Sequence, residues 1–291
     1  MSEAKVTPSK PTPPEERAEA WDSSAEAYDA FAEGLTRGFA EDAARLVRLS
    51  QGSRVLDVAA GTGVFTFAAA RRGAEVLATD FSAGMIDALQ RKCAAQGLTT
   101  VKTAVMDGQA LTVEDSSFDV AASLFGLMFF PDHDRGLKEL LRVLKPGGQA
   151  VVATWAPPSR GELFRLIGGA VMKAMPQLPA PGKPPHWAAL GDVDELRRRL
   201  LSVGFARAHV VSVTHVWTFE SPEWLAQRLP SMSPAAAGLF EAMTATQRET
   251  FSQALVDELR ERQAPGPFAL TNEGLIAVGT KSAAGLEPRT K

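Results

Sequence analysis

Hydrophobic residues recur every three or four positions near the start of the chain, which is the spacing of one face of an α-helix. The residues on this face include Trp21, Ala25, Tyr28, Leu35 and Phe39. The pattern predicts a helix over residues 15–49. Gly34 and Gly38 fall inside it. Because glycine weakens a helix interior, we expect them to divide the helix into two pieces.

Short apolar runs then alternate with helical patterns. Strands are predicted at residues 54–58, 75–79, 100–105, 118–123 and 149–154, and helices at residues 64–72, 83–95 and 135–144. The strands are apolar along almost their whole length, which is typical of a parallel sheet that is covered on both faces. This part of the chain therefore predicts a doubly wound α/β fold.

The pattern changes after residue 154. Residues 155–190 are rich in proline and predict a loop-rich insertion. One further helix is predicted around residues 193–203, a strand at 207–219, a helix start at Ser221 with Pro222 in the first helical position, a helix at 244–262 and a last strand at 268–280. Residues 1–14 and 282–291 lack any such pattern, and we expect them to be disordered tails.

Composition narrows the class of protein. The chain has 291 residues, of which 22% are charged, with a net charge of −3. This length suits one large domain with a smaller cap, and the charge disfavours a nucleic-acid partner. The single cysteine, Cys93, excludes an intrachain disulfide and favours a cytoplasmic protein. No stretch of about 18 apolar residues is present, so we expect no membrane span.

The turn after the first predicted strand carries the first chemical signal. Gly61 and Gly63 lie between that strand and the next helix, where a doubly wound sheet binds its ligand. Thr66 stands where a dinucleotide-binding turn has its third glycine. Asp80 follows the second strand directly, in the position of an acceptor for ribose hydroxyl groups. A ribose in this position fits NAD and S-adenosylmethionine alike.

Four later segments extend this signal: residues 105–108, 118–123, 129–132 and 142–148. In this order and spacing the chain resembles the class I S-adenosylmethionine-dependent methyltransferases, and is most similar to those of ubiquinone and menaquinone biosynthesis that methylate carbon. The resemblance implies a Rossmann-like, mostly parallel sheet of seven strands. It also implies an N-terminal helical lid (15–50), a cofactor-binding core (51–155), a substrate cap with late core elements (156–265) and a final strand (266–281).

The same resemblance implies a set of cofactor contacts. Ala59, Gly61, Thr62 and Gly63 would pass under the methionine part, Asp80 would hold the ribose, Phe81 and Met85 would pack on the adenosine, and Asp107, Gly108 and Gln109 would meet the adenine edge. Ser123 and Phe125 would lie near the methionine amino group or the methyl donor. Trp21 and Tyr28 would either close the lid over the methionine end or only pack the helix onto the sheet. Ala59 departs from the family, which commonly has a glycine there. Asp57 is expected either to touch the ligand or to orient the turn by accepting hydrogen bonds.

The resemblance implies methyl transfer by in-line displacement, which needs a general base only if the acceptor must lose a proton. His133 and His186 are the candidate bases, whereas His209 and His215 alternate along a strand and are expected to be structural. No histidine lies at metal-ligand spacing from the cysteine or another histidine, so no metal is predicted.

An apolar chamber is predicted for the acceptor, which would be a hydrophobic small molecule such as a quinone, polyketide, sterol-like or terpenoid compound. Its candidate residues are Phe125, Leu127, Met128, Phe129, Trp155, Phe164, Met172, Met175 and Trp187. The alternative is that most of them belong to the ordinary hydrophobic core. The protein is expected to act as a monomer or a homodimer.

Three alternatives stay open. An NAD-dependent dehydrogenase is disfavoured by the missing third glycine. A protein that keeps the cofactor but catalyses a cyclisation, or acts only as a binding module, is compatible with the fold, because fold does not dictate function. A protein or RNA methyltransferase is disfavoured by the acidic charge and by residues 123–126, which are Ser-Leu-Phe-Gly instead of an Asn-Pro-Pro-Tyr-type element.

Overall fold

Seven strands form one sheet at the centre of the molecule. The computed structural model describes residues 12–178, 185–262 and 266–283. The strands are β1 (Arg54–Val58), β2 (Glu75–Asp80), β3 (Val101–Val105), β4 (Phe118–Leu124), β5 (Leu144–Trp155), β6 (Arg207–Phe219) and β7 (Phe268–Thr280). Their order in the sheet is β3-β2-β1-β4-β5-β7-β6.

The first five strands run parallel to one another, and β7 is inserted antiparallel between β5 and β6. The predicted doubly wound, mostly parallel fold is therefore confirmed. Strand order reverses between β1 and β4, which are hydrogen-bonded neighbours. The carboxyl ends of these two strands mark the switch point, where folds of this kind form their ligand crevice.

Helices cover the sheet. They are α1 (Ala18–Leu46), α2 (Val64–Ala70), α3 (Ala83–Ala95), α4 (His133–Val143), α5 (Glu162–Ala174), α6 (Val193–Ser202), α7 (Pro222–Arg228), α8 (Pro234–Glu241) and α9 (Ala245–Arg262). Side chains cap several of them: Ser221 accepts a hydrogen bond from the backbone N–H of Trp224, as predicted for the start of α7. No helix in the described part of the chain is both long and apolar enough to span a membrane.

Helix α1 is continuous, so the predicted break at its two glycines is wrong. Gly38 lies against the imidazole ring of His215 on β6, where a Cβ would have no room. Phe39, the next residue, is fully buried and packs edge-on to the same ring. Close packing against the sheet therefore offsets the low helix propensity of glycine, as tertiary contacts often do.

The second half of the chain contains two helices that the sequence pattern missed. Residues 155–190 are not only loop, because α5 occupies thirteen of them and buries Leu163 and Leu166. Helix α8 lies between α7 and α9, capped by Ser233. Prolines before and after α5, together with Gly168 and Gly169 inside it, conceal its periodicity.

The predicted tails fall mainly outside the described residues. This applies to residues 1–11 and 284–291, and residues 179–184 and 263–265 of the predicted cap are also outside them. Pro14, the last residue of the predicted first tail, begins a short 3-10 helix (Pro14–Glu16). This helix contacts α8, so the start of the predicted lid meets the predicted cap.

Candidate functional site

A cavity of about 310 Å³ lies at the carboxyl ends of β1, β2 and β4, beneath the N-terminal half of α1. We call it the first cavity. The sequence-predicted cofactor residues that line it are Trp21, Tyr28, Ala59, Gly61, Thr62, Asp80, Phe81, Met85, Asp107, Gly108, Gln109 and Phe125. Its volume is at the lower end of the range that small-molecule sites occupy.

The turn between β1 and α2 forms the floor of the first cavity. The N–H of Ala60 donates to the carbonyl of Thr79 on β2, and the N–H of Gly63 donates to the carbonyl of Ala60. Ala59 has a φ of 53° and Phe125, which also lines the cavity, has a φ of 56°. Left-handed backbone is uncommon for residues other than glycine, and such strain is often found at functional sites. Two of the few such residues therefore meet at this cavity.

Asp80 links two walls of the first cavity. Its Oδ2 accepts a hydrogen bond from the N–H of Gly61 (2.9 Å), and its Oδ1 accepts one from the N–H of Ser82 (3.0 Å). Burial raises the pKa of Asp80 to about 6, although these backbone donors act in the opposite direction. An ionised carboxylate has about four lone-pair sites. Asp80 can therefore accept further bonds from a ligand hydroxyl.

Asp57 lies one layer deeper and does not line the first cavity. Its Oδ2 accepts a hydrogen bond from the hydroxyl of Thr66 on α2 at 2.6 Å. Burial raises its pKa to about 7. Of the two expectations for Asp57, the structure supports the one in which it orients the turn and the start of α2.

The lid is built on α1. Trp21 packs edge-on to Tyr28 and against Phe129, and it shares a small buried cluster with Met85. Asp22 fixes this end of the helix, because its Oδ1 accepts hydrogen bonds from the hydroxyl of Ser82 (2.6 Å) and from the N–H of Gly84 (2.8 Å). The lid is thus attached to the residues that immediately follow Asp80.

The loops after β3 and β4 close the far end of the first cavity. Asp107 accepts a hydrogen bond from the N–H of Gln109, whose side-chain oxygen in turn accepts one from the N–H of Asp132. Gly108 lies against the ring of Phe130 and the side chain of Val58, so a Cβ there would clash with both. The predicted adenine-contacting residues are therefore held together by direct contacts.

Four predicted residues do not line the first cavity. Gly63 is the N-cap of α2 and faces Leu89 of α3. Ser123 is fully buried, and its hydroxyl accepts a hydrogen bond from the N–H of Leu127. Ser123 therefore helps to shape the loop after β4 and does not line the first cavity.

His133 and His186, the two candidate bases, are the other two predicted residues that do not line the first cavity. The Nε2 of His133 lies 3.0 Å from the carbonyl oxygen of Met128, and that of His186 lies 2.8 Å from the carbonyl oxygen of Phe130. The two rings stack on each other at 4.3 Å. Burial lowers the pKa of His133. Both rings therefore contact the loop after β4, which folds as a short 3-10 helix (Leu127–Phe129), and neither histidine lines either cavity in the described part of the chain.

A second cavity of about 220 Å³ adjoins the first and shares part of its wall. The shared residues are Trp21, Tyr28, Thr36, Phe125 and Phe129. The remaining residues that line it are Leu35, Met128, Trp155, Phe164, Ile167, Trp187, Leu229, Met232, Ser233, Ala235, Ala236, Leu239 and Phe240. They come from α1, from the end of β5, from the loop after β4, from α5, from the segment before α6 and from the region of α8, and almost all are apolar.

Most of the predicted chamber residues belong to this second cavity, but three do not. Leu127 and Met175 are buried elsewhere in the core, and Met172 is 41% exposed on the outer side of α5. Three lining residues were not predicted from the sequence: Thr36, which both cavities share, and Glu15 and Glu16, which line the first. The helical spacing of Thr36 eight positions after Tyr28 was a usable signal for the former.

The charges of the first cavity indicate which ligand it fits. Glu15, Glu16, Asp80 and Asp107 line it, and no Lys, Arg or His among the described residues does. The two phosphates of NAD would be repelled there, whereas the sulfonium and ammonium groups of S-adenosylmethionine would be attracted. The residues present therefore fit S-adenosylmethionine. No group of three potential metal ligands occurs within the described ranges, and the absence of a metal stays a prediction.

Comparison with known proteins agrees with this chemistry. The profile of the family described as methyltransferase domain matches residues 55–148. The demethylmenaquinone methyltransferase of Mycobacterium sp. (strain KMS) is 34% identical over 169 residues, which are 57% of this chain and 70% of that protein. The match covers most of that protein's length, and it extends beyond the residues that the family profile matches.

Solved structures share the fold at low sequence identity. The phosphoethanolamine N-methyltransferase 2 of Haemonchus contortus, in complex with S-adenosyl-L-methionine, superposes with a TM-score of 0.54 at 18% identity and covers 92% of this chain and 59% of that one. The [4+2]-cyclase SpnF superposes with a TM-score of 0.52 at 18% identity and covers 85% of this chain and 82% of that one. These two likenesses concern the fold alone.

The chain belongs to the class I S-adenosylmethionine-dependent methyltransferases and is related, within them, to the quinone C-methyltransferases. It is accordingly a methyl-transferring enzyme, and its cofactor is S-adenosylmethionine.

Proposed function

We propose that the protein methylates a small hydrophobic acceptor of the quinone type, held in the second cavity. The observation that carries this proposal is the shared wall between the two cavities, since donor and acceptor must meet there. Transfer of a hydrophobic ring from water to an apolar surface is favourable by about 25 cal/mol per Å² of apolar area removed from water. The stacked rings of Phe125 and Trp155, 3.9 Å apart, give that surface a flat aromatic side.

In this proposal the cofactor occupies the first cavity. Asp80 accepts hydrogen bonds from the ribose hydroxyls, and Phe81 and Met85 pack on the adenosine. The turn that contains Gly61 approaches the methionine part. S-adenosylmethionine supplies an activated methyl group on a good leaving group. The protein's own contribution is to align the acceptor with that methyl group and to exclude water, and alignment of this kind can contribute roughly 7–11 kcal/mol.

The relationship to demethylmenaquinone methyltransferases supports a quinone-type acceptor over the other hydrophobic classes. The second cavity supports it independently, because a fused aromatic ring matches its aromatic lining. A charged or strongly polar acceptor would lose its hydration there without finding a partner.

The test places a charge in the second cavity and, as a control, on the outside of the same helix. Ile167 lines the second cavity, and Met172 is exposed on α5. We expect Ile167→Lys to lower methyl transfer to a reduced, short-chain demethylmenaquinone by at least about tenfold, because it buries an ammonium group next to the acceptor. Met172→Lys should leave transfer unchanged. Both variants should bind S-adenosylmethionine like the parent protein in calorimetry.

Two outcomes would contradict the proposal. If both lysine variants transfer methyl equally well, the second cavity is not the acceptor site. If the parent protein binds S-adenosylmethionine and converts an acceptor without incorporating methyl, the protein catalyses another reaction on the same fold, such as a cyclisation.

A further inference from the structure

A groove of about 490 Å³ lies at the amino ends of the parallel strands, at the opposite edge of the sheet from the first cavity. We call it the arginine groove. The basic side chains that line it are those of Arg48, Arg197, Arg207 and His209. No Asp or Glu of the described residues lines it. Its fixed charge is therefore opposite in sign to that of the first cavity.

The fold brings these basic side chains together from three elements. Arg48 follows the end of α1, Arg197 lies on α6, and Arg207 begins β6. The end of α1 is held at the groove by a hydrogen bond from the N–H of Arg48 to the Oε1 of Gln149 on β5 (2.9 Å). His209 lies two positions after Arg207, so the two side chains share a face of β6. Residues that are up to 161 positions apart in the sequence thus line one recess.

The three arginines of the groove lack the carboxylate partners that neighbouring arginines have. On α1, Arg45 pairs with Asp42 at 3.4 Å. On α6, Arg198 and Arg199 both pair with Glu195, at 2.8 Å and 2.7 Å. Within the described ranges, no carboxylate lies within ion-pair distance of the three guanidinium groups that line the groove. Because like charges in one recess repel one another, the groove favours an anionic ligand.

The rest of the groove's lining is largely apolar. It includes Ala206, Ala208 and Val278, and also Leu46 and Leu201, which are 38% and 41% exposed. Single exposed leucines are ordinary on a protein surface. Two of them in the same recess as three arginines give the groove an amphipathic lining. A ligand that matches this lining carries an anionic group on an apolar body.

We propose that the arginine groove is a second binding site of the protein, for a soluble organic phosphate whose apolar part lies against Leu46 and Leu201. Guanidinium groups match phosphate oxygens in geometry and bind them by charge-assisted hydrogen bonds. A phosphate monoester carries a charge of about −1.5 to −2 at neutral pH, which several arginines are needed to neutralise. His209 adds an N–H donor in either protonation state.

The shape and charge of the protein favour a small phosphate over larger polyanions. The groove is a recess, which a compact ligand can fill and a flat lipid surface cannot. The net charge of the chain is −3, so a long polyanion that extended beyond the groove would be repelled. This second site is separate from the methyl-transfer chemistry, and the proposal does not depend on the identity of the acceptor.

The experiment is calorimetric titration of the full chain with phenyl phosphate and with inorganic phosphate at constant ionic strength. We expect saturable one-to-one binding of phenyl phosphate, at least about fivefold tighter than that of inorganic phosphate, because the ring covers apolar area of Leu46 and Leu201. In Leu201→Asn this preference should largely disappear while inorganic phosphate still binds. Absence of saturable binding of phenyl phosphate at millimolar concentrations would overturn the proposal.

Arg197→Gln and Arg198→Gln form a matched pair, because each removes one positive charge from an exposed position on α6. We expect Arg197→Gln to weaken binding of phenyl phosphate by at least about tenfold, as the loss of a hydrogen bond to a charged group predicts. Arg198→Gln should bind it like the parent protein. Equal weakening in both variants would overturn the proposal, because binding would then follow the overall charge and not the groove.

Vesicles distinguish the soluble phosphate from a lipid headgroup. Co-sedimentation of the protein with vesicles of phosphatidylglycerol and phosphatidylcholine, lost in Arg197→Gln and not accompanied by binding of phenyl phosphate, would overturn the proposal in favour of a membrane surface. All variants should bind S-adenosylmethionine like the parent protein, which shows that they are folded and that the groove is independent of the first cavity. Loss of S-adenosylmethionine binding in Arg197→Gln would contradict that independence.

Discussion

Gly63 occupies a position where both the backbone conformation and the lack of space exclude a side chain. Its φ is 97°, and a Cβ would clash with Leu89 of α3 and crowd Phe67 of α2. Gly97 also has a positive φ, 64°, but a Cβ there would meet nothing within 4 Å. A comparison of Gly63 with Gly97 therefore separates the effect of backbone strain on stability from the effect of crowding.

We predict that Gly63→Ala destabilises the protein more than Gly97→Ala does. Both substitutions carry the left-handed strain of about 1–2 kcal/mol, and Gly63→Ala adds overpacking of about 1–3 kcal/mol. Urea unfolding followed by circular dichroism measures the difference in the free energy of unfolding. Equal losses in the two variants would mean that Leu89 moves aside at no cost, and that the close packing of α2 on α3 does not require this glycine.

Sequence reasoning at the residue scale succeeded where a side chain's position follows from the end of a strand. Asp80 and Asp107 come at or just after strands β2 and β3, and parallel strands present such residues at one edge of the sheet. It failed to place His133 and His186, because the direction of their rings depends on how the loop after β4 folds. That path is set by contacts between residues far apart in the sequence, such as Phe130 with Gly108.

The same distinction holds for whole elements. Strands β1, β6 and β7 and helix α3 begin and end as the apolar pattern predicts. Helices α5 and α8 could not be recognised from the sequence, because glycine and proline interrupt their hydrophobic periodicity. Both helices become evident only in the packed structure of the cap. These two helices supply much of the wall of the second cavity. Many of the residues that line the first cavity were thus predictable from local motifs, whereas the shape of the second cavity required the tertiary structure.

The attachment of α1 to α3 gives a prediction about the lid. The carboxylate of Asp22 accepts hydrogen bonds from Ser82 and Gly84, and Ser82 also caps α3 by accepting from the N–H of Met85. In Asp22→Ala these donors lose their partner, and the loss of hydrogen bonds of this kind costs about 1–2 kcal/mol. We expect S-adenosylmethionine to bind roughly tenfold more weakly, because the helix that covers it is less well held.

Asp22→Asn is the matched control, since its side-chain oxygen can still accept both hydrogen bonds. Calorimetry should give the asparagine variant an affinity close to that of the parent protein, and hydrogen exchange should be faster over residues 18–30 in Asp22→Ala alone. Unchanged exchange and affinity in Asp22→Ala would show that the aromatic packing of Trp21 is sufficient to hold the lid.

At the scale of the whole molecule, the two cavities differ in polarity. The first takes its polar groups from the carboxyl ends of the parallel strands, and the second takes its apolar groups from α1, the sheet and the cap. In the proposed function, this separation keeps the carboxylates beside the cationic cofactor and away from the hydrophobic acceptor. It has a cost in stability, because two of the carboxylates near the switch point are buried.

That cost predicts how stability depends on pH. The pKa of Asp57 is raised by burial to about 7 and that of Asp80 to about 6, each from an ordinary value of 3.8. Between about pH 4 and pH 7, the folded protein therefore holds protons that the unfolded chain has released. The contribution of these two groups to stability is present in full below pH 4 and is lost as the pH rises through this window.

Asp57→Asn isolates one of the two groups, because an asparagine oxygen can still accept the hydrogen bond from Thr66 while carrying no charge. We predict that the variant gains stability relative to the parent protein as the pH rises from about 4 to about 7, by up to about 4 kcal/mol, and that the difference then stays constant. Urea unfolding of both proteins at several pH values measures it. Asp80 and the surface carboxylates are the same in both proteins, so their contributions largely cancel in the difference. A difference that does not vary with pH would mean that Asp57 keeps its ordinary pKa in the folded protein, and that the turn below the first cavity is more hydrated than its burial implies.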